Sequence, residues 1–129
     1  MKQILIACLL LSTATSQKLP DGFLQMWRGL AGRFQPGCAE QNGVELEETR
    51  KIIERLEAPD EGPIHCYITC VLDNLNFLTP EGDFDTSVVV DRVHFFSSEV
   101  VDGCVYDDED RCRRVYMSTM CALYAIAEE

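Results

Sequence analysis

Apolar residues recur along this chain at three- and four-residue steps, the spacing that places them on one face of a helix. The clearest run covers residues 64–78, and Pro63 stands just before it, where its fixed backbone angle suits a first turn. The stripe consists of Ile68, Val71, Leu72, Leu75 and Leu78. This pattern predicts a helix over residues 64–78.

The same spacing predicts five further helices, and together they indicate an all-α domain of six helices. Asp21 is placed to cap the first of them, and the Gln35-Pro36-Gly37 segment is expected to end it. In the fourth helix, the consecutive valines 88–90 also permit a strand. The helix that follows is short and could instead be a turn. The five ranges are residues 23–34, 46–56, 84–96, 97–105 and 109–127.

Two pairs of cysteines restrict how the chain can be crosslinked. Cys66 and Cys70 lie four residues apart on the helix predicted over 64–78. Their Cβ atoms would be about 5–6 Å apart and poorly aimed at each other, so each must reach a different segment. Cys112 and Cys121 lie nine residues apart on the last predicted helix, about 13.5 Å along its axis, and cannot pair either. Most of the 15 connectivities of six cysteines remain open.

Residues 1–16 have the parts of a secretory signal peptide. Lys2 supplies the positive end, residues 4–11 form the apolar run, and residues 14–16 offer a cleavage site of small side chains. The apolar run is too short to cross a bilayer, which needs about 20 residues. We therefore expect a signal peptide over residues 1–16 and a single secreted domain over residues 17–129.

The cysteine content fits an oxidising compartment better than a metal site. Cys8 lies in the expected signal peptide, which leaves six cysteines, and an even number in a short secreted chain predicts three disulfides. Zinc is disfavoured because the chain has no paired C-x2-C spacing. The acidic segments at residues 83–85 and 107–110 lack the spacing of a calcium-binding EF-hand loop. We expect no metal and no cofactor.

The charge and the missing motifs exclude several other functions. The chain has 11 Lys and Arg against 22 Asp and Glu, a net charge of −11, which argues against nucleic acid and anionic membranes as partners. Neither G-x-S-x-G nor H-E-x-x-H occurs, and His65 and His94 belong to no catalytic pattern. We expect a protein that is not an enzyme, binds no nucleic acid and does not insert into membranes.

Three residues separate Cys66 from Cys70 and eight separate Cys112 from Cys121. With six cysteines in this order after a signal peptide, the chain resembles insect odorant-binding proteins, the pheromone-binding/general-odorant-binding family. The resemblance covers essentially the whole mature chain. It implies three interlocked disulfides, Cys38–Cys70, Cys66–Cys112 and Cys104–Cys121. It also implies a compact helical domain around an apolar cavity.

The candidate lining of that cavity is the set of inward-facing apolar residues. For any single one, ordinary core packing is the competing interpretation. A cavity of about 300 Å³, near the lower end for ligand pockets, would cost roughly 7 kcal/mol. Three disulfides at about 2–4 kcal/mol each could offset that cost. The candidates are Trp27, Phe34, Ile53, Ile68, Leu72, Leu75, Val93, Phe95, Tyr116, Met120, Leu123 and Tyr124.

The function implied by the resemblance is transport of small hydrophobic molecules, such as odorants or pheromones, through extracellular fluid. A chemosensory receptor would be a further partner, and the protein could be a monomer or a homodimer. One alternative is a carrier that serves saliva, seminal fluid, venom or haemolymph. Another is a small helical signalling or inhibitory protein with a solid interior, whose function lies on its surface.

Overall fold

The structure is a computed structural model that describes residues 17–129; the expected signal peptide, residues 1–16, lies outside the described residues. The described part is all-α, as predicted, and contains no strand, only two isolated β-bridges. No helix in residues 17–129 combines the length and apolar character needed to cross a membrane. The seven helices are α1 (Phe23–Ala31), α2 (Gln35–Gln41), α3 (Leu46–Arg55), α4 (Gly62–Asn74), α5 (Thr86–Arg92), α6 (Ser98–Gly103) and α7 (Arg111–Ile126).

The seventh helix arises because the first predicted helix is divided in two. The expectation that residues 35–37 end a helix is wrong, since α2 begins at Gln35 with Pro36 in its first turn. Proline is tolerated there because the first-turn N–H groups have no partner within the helix. Asp21 is not the cap of α1 either, because the N-cap is Gly22, with a φ of 89°. The extra helix brings Cys38 into the core.

The helix predicted over residues 64–78 ends four residues early, at Asn74. Asn76 adopts a left-handed φ of 61°, a conformation that asparagine tolerates better than most residues and that does not continue a helix. The chain then turns so that Phe77 points into the core, where it is almost completely buried. Leu78 pairs with Phe84 in an isolated antiparallel bridge before α5 begins.

Three disulfides join the helices, and they have the interlocked pairing that the resemblance implies. Cys70 of α4 bonds to Cys38 of α2, and Cys66 of α4 bonds to Cys112 of α7. The third joins Cys104, directly after α6, to Cys121 of α7. Helices α2, α4, α6 and α7 therefore form a covalently linked frame. Helices α1, α3 and α5 are held to it by non-covalent contacts and by the chain connections.

The closest helix pair of the frame is α4 with α7. Beyond the Cys66–Cys112 bond, the Arg111 guanidinium donates two hydrogen bonds of 2.8 Å to the carboxylate of Asp73. It also donates to the carbonyl oxygens of Pro80, at 2.9 Å, and Thr79, at 3.1 Å. Bidentate pairing with a carboxylate fixes orientation as well as distance. Arg111 thus holds the turn after α4 against the start of α7.

Helix α1 packs on the frame through aromatic side chains. The ring of Phe23 meets the ring of Phe95 edge to face, with centroids 5.3 Å apart, and lies 6.0 Å from the ring of Phe96. Such pairs contribute roughly 0.5–1.5 kcal/mol beyond the area they bury. Near the termini, Lys18 and Glu128 exchange two backbone hydrogen bonds of 2.8 and 2.7 Å.

Candidate ligand cavity

An apolar cavity of about 60 Å³ lies where the covalent frame meets the helices that carry no disulfide. Helices α4 and α7 form one side, and α1, α3 and α5 form the others. None of the lining residues is charged. The lining consists of Phe23, Trp27, Gln35, Thr49, Ile52, Ile53, Tyr67, Ile68, Val71, Leu72, Phe77, Phe84, Val89, Val93, Phe96, Thr119, Ala122 and Leu123.

The helical repeat explains why the two frame helices contribute as they do. From α4, Ile68, Val71 and Leu72 face the cavity at the three- and four-residue steps of one helix face. From α7, Ala122 and Leu123 face it, one turn beyond Thr119. Ala122 is small and completely buried, so it leaves space rather than filling it.

The size of the cavity differs from the 300 Å³ considered in the sequence analysis. At about 24 cal/mol per Å³, the 60 Å³ present costs only about 1.4 kcal/mol. An apolar cavity of about 150 Å³ is the size known to bind benzene in another protein. A ligand larger than a few atoms must therefore widen this cavity when it binds.

The polar groups of the lining cluster beside α3. The Tyr67 hydroxyl lies within hydrogen-bonding reach of Thr49 and Gln35. Burial raises the pKa of Tyr67 above its usual value, and these two hydrogen bonds oppose the rise. The Thr49 hydroxyl also donates to the carbonyl oxygen of Leu46, at 2.6 Å. These groups are thus already partnered within the protein.

The wall between α1 and α3 separates the cavity from the surface. Outside it lies a groove that carries charged side chains, among them Arg28, Arg50 and Glu54. The shortest apolar route into the cavity therefore crosses this wall. Four residues line both the cavity and the groove: Trp27, Gln35, Thr49 and Ile53.

Comparison with known protein families decides which family this architecture represents. The family model described as the PBP/GOBP family matches residues 27–124, a span that contains all six disulfide-bonded cysteines. The chain belongs to the PBP/GOBP family. This is the insect odorant-binding family of the predicted resemblance, and its members bind small hydrophobic ligands. Searches of curated proteins and of solved structures found no match.

In this PBP/GOBP chain, six of the twelve candidate lining residues lie on the cavity. The sequence reasoning did not include Phe77, because the overlong predicted helix placed it off the apolar stripe. It also did not include Thr49 and Thr119, since a spacing argument based on apolar residues passes over hydroxyl side chains. The six that line the cavity are Trp27, Ile53, Ile68, Leu72, Val93 and Leu123.

The other six candidates lie apart from the cavity lining. Leu75 is buried at the C-terminal end of α4, and Phe34, Phe95 and Met120 pack half-buried against the core. Both tyrosines bind the loop after α3. Tyr116 donates from its hydroxyl to the carbonyl oxygen of Ala58 at 2.8 Å, and Tyr124 donates to that of Leu56 at 3.2 Å.

The loop after α3 is also fixed by a histidine. His65 lies 2.7 Å from Asp60, measured from Nε2 to Oδ1, and its ring stacks on that of Tyr116 with centroids 4.3 Å apart. Burial, and then the negative charge of Asp60, raise the pKa of the Tyr116 hydroxyl above its usual value. The Tyr116 hydroxyl therefore stays protonated near neutral pH and serves as a hydrogen-bond donor to the loop.

Proposed function

We propose that this protein is a secreted carrier that binds small hydrophobic molecules of the odorant or pheromone type in the cavity between α1, α3, α4, α5 and α7. The observation that carries the proposal is an uncharged, largely apolar cavity inside a chain of the PBP/GOBP family. A lining without charges suits an uncharged apolar guest, because burying apolar surface is favourable and no lining ion loses its water.

The way in which the helices are crosslinked supports widening of the cavity by a ligand. The walls from α1, α3 and α5 carry no disulfide, whereas α4 and α7 are bonded to each other. Helix α1 also belongs to none of the closely packed helix pairs. We infer that α1 and α3 move outward when a ligand enters, while α4 and α7 keep their positions. The ligand then enters past Trp27.

The test uses Trp27, the only tryptophan of the chain, as an internal reporter at the cavity wall. Binding of a fluorescent hydrophobic probe, and its displacement by volatile alcohols and esters, should change the emission of Trp27 in parallel. Ala122→Leu should reduce probe binding at least about fivefold, because the added side chain occupies the cavity. Ala125→Leu, an exposed position one turn further along α7, is the control and should bind as the wild type does.

One observation favours the alternative of a solid-cored signalling or inhibitory protein, namely the small volume of the unliganded cavity. That alternative predicts no uptake of the probe by the oxidised protein and no effect of Ala122→Leu. Native mass spectrometry of protein purified from its source would separate the two directly. A co-purified mass of a small lipid-like molecule supports the carrier.

Several finer parts of the proposal need their own measurements. Sequencing the N-terminus of the mature protein tests cleavage after Ser16 and a domain over residues 17–129. Locating the transcript in antenna or in a gland separates a chemosensory carrier from one of saliva, seminal fluid, venom or haemolymph. Sedimentation tests monomer against homodimer. Binding to antennal membranes tests a chemosensory receptor as a partner.

A further inference from the structure

One lining residue carries a hydroxyl that the protein leaves without a partner. In the part of the chain that the structure describes, the hydroxyl oxygens of Ser118 and Thr119 are buried and make no hydrogen bond. Only Thr119 of these two lines the cavity. Buried polar atoms nearly always have a partner, so this exception requires an explanation.

Neither the helix nor a water explains the unpartnered hydroxyl well. A threonine within a helix commonly donates to the carbonyl oxygen four residues earlier, here that of Val115, and Thr119 does not. A buried water typically makes about three hydrogen bonds, and apolar cavities stay dry. The Tyr67 and Thr49 hydroxyls are partnered beside α3, so a water at Thr119 would have few other partners.

We propose that the ligand is an uncharged aliphatic molecule with one oxygen function, an alcohol, aldehyde, ketone or ester, which hydrogen-bonds to Oγ1 of Thr119. This inference rests on the proposed carrier function and narrows its ligand class. The ligand oxygen pairs the unpartnered hydroxyl, and the hydrocarbon part lies against the apolar lining. Thr119 is then a specificity-determining residue of the cavity.

The charges around the cavity argue against a fatty acid as the preferred ligand. A carboxylate placed in the cavity would lose its water without meeting a positive charge, because no lining residue is charged. Arg28 and Arg50 lie in the outer groove, beyond the wall that contains Trp27. Arg50 is also paired with Glu47, at 3.1 Å.

The test compares octanol, octanal, octane and octanoate as ligands of the oxidised protein at pH 7. Thr119→Val removes the hydroxyl and keeps the shape of the side chain. It should weaken octanol and octanal about fivefold to tenfold, the range of one hydrogen bond. Octane should change by less than about twofold, since it has no oxygen. Octanoate should bind the wild type more weakly than octanol does.

Two further variants separate a ligand contact from a structural effect. Thr119→Ser keeps a hydroxyl and should restore most of the affinity for octanol. Ser118→Ala removes the other unpartnered hydroxyl, which lies outside the cavity lining, and should leave all four affinities unchanged. The inference is overturned if Thr119→Val weakens octane as much as octanol, if it weakens neither, if Ser118→Ala reproduces its effect, or if octanoate binds best. Failure of the wild type to bind any of the ligands or the fluorescent probe would instead overturn the proposed carrier function.

Discussion

Two leucines on the same helix provide a matched test of where the ligand binds. Leu72 and Leu75 of the α4 region are each only 4% exposed, and both belong to the apolar stripe that predicts the helix. Leu72 lines the cavity, whereas Leu75 does not. The substitutions Leu72→Ala and Leu75→Ala remove the same atoms from equally buried positions. Their effects on stability should be similar, and their effects on ligand binding should differ.

The expected loss of stability follows from the burial of the two side chains. A buried Leu→Ala change costs about 2–5 kcal/mol, as a transfer contribution plus about 24 cal/mol for each Å³ of space that stays open. At position 72 the new space joins the existing 60 Å³, which costs about 1.4 kcal/mol. A ligand can fill the joined space, so it should stabilise Leu72→Ala by at least about 1 kcal/mol more than it stabilises the wild type.

Urea unfolding of the oxidised proteins, followed by Trp27 fluorescence and by circular dichroism, measures both quantities. Each variant is unfolded with and without octanol at about 100 times its dissociation constant, where binding stabilises the wild type by about 2.7 kcal/mol. An equal gain for Leu75→Ala, or no additional gain for Leu72→Ala, would contradict the assignment of this cavity as the ligand site. A loss well below about 2 kcal/mol at position 72 would contradict the packing around it.

Three further predictions concern stability. Because burial raises the pKa of Tyr67 above 10.0, the folded state holds this proton more tightly than the unfolded chain, so the free energy of unfolding should fall as pH rises from about 10 through the folded-state pKa. Urea midpoints over that range should depend less on pH in Tyr67→Phe, and an unchanged dependence would refute the reasoning. Replacing both Cys66 and Cys112 by alanine opens a crosslink between residues 46 apart and should cost about 4 kcal/mol in urea unfolding; a loss below about 1 kcal/mol would contradict a stabilising crosslink. Gly82→Ala should cost at least about 1–2 kcal/mol by thermal unfolding, because Gly82 has a φ of 97° and a Cβ there would lie 3.0 Å from Cγ of Arg111; wild-type stability would refute this.

Apolar spacing predicted the fold class because it records which face of each helix is buried. Helices α3, α6 and α7 lie close to their predicted ranges for this reason. The errors fall where a backbone conformation outweighs the spacing. Asn76 ends α4 through a left-handed φ, although the apolar stripe continues to Leu78. Pro36 begins a helix rather than ending one, since a proline is compatible with a first turn.

The cavity lining is harder to predict because a stripe identifies a buried face and not its neighbour. Leu72 and Leu75 are equivalent in spacing and burial, yet only Leu72 faces open space. The difference depends on how α1, α3 and α5 lie against α4, which no local pattern specifies. Thr119 is harder still, since a hydroxyl becomes informative only when its surroundings provide no partner.

The structure also changes what the three disulfides have to do. The sequence reasoning assigned them the task of offsetting a large cavity, but the unliganded cavity costs only about 1.4 kcal/mol. The cost arises instead when a ligand separates α1 and α3 from the frame and breaks the contacts between them. At that moment, crosslinks confined to α2, α4, α6 and α7 keep those segments connected without restraining the helices that move. A pattern of crosslinks that leaves one side of the cavity free suits a container that is nearly closed when empty.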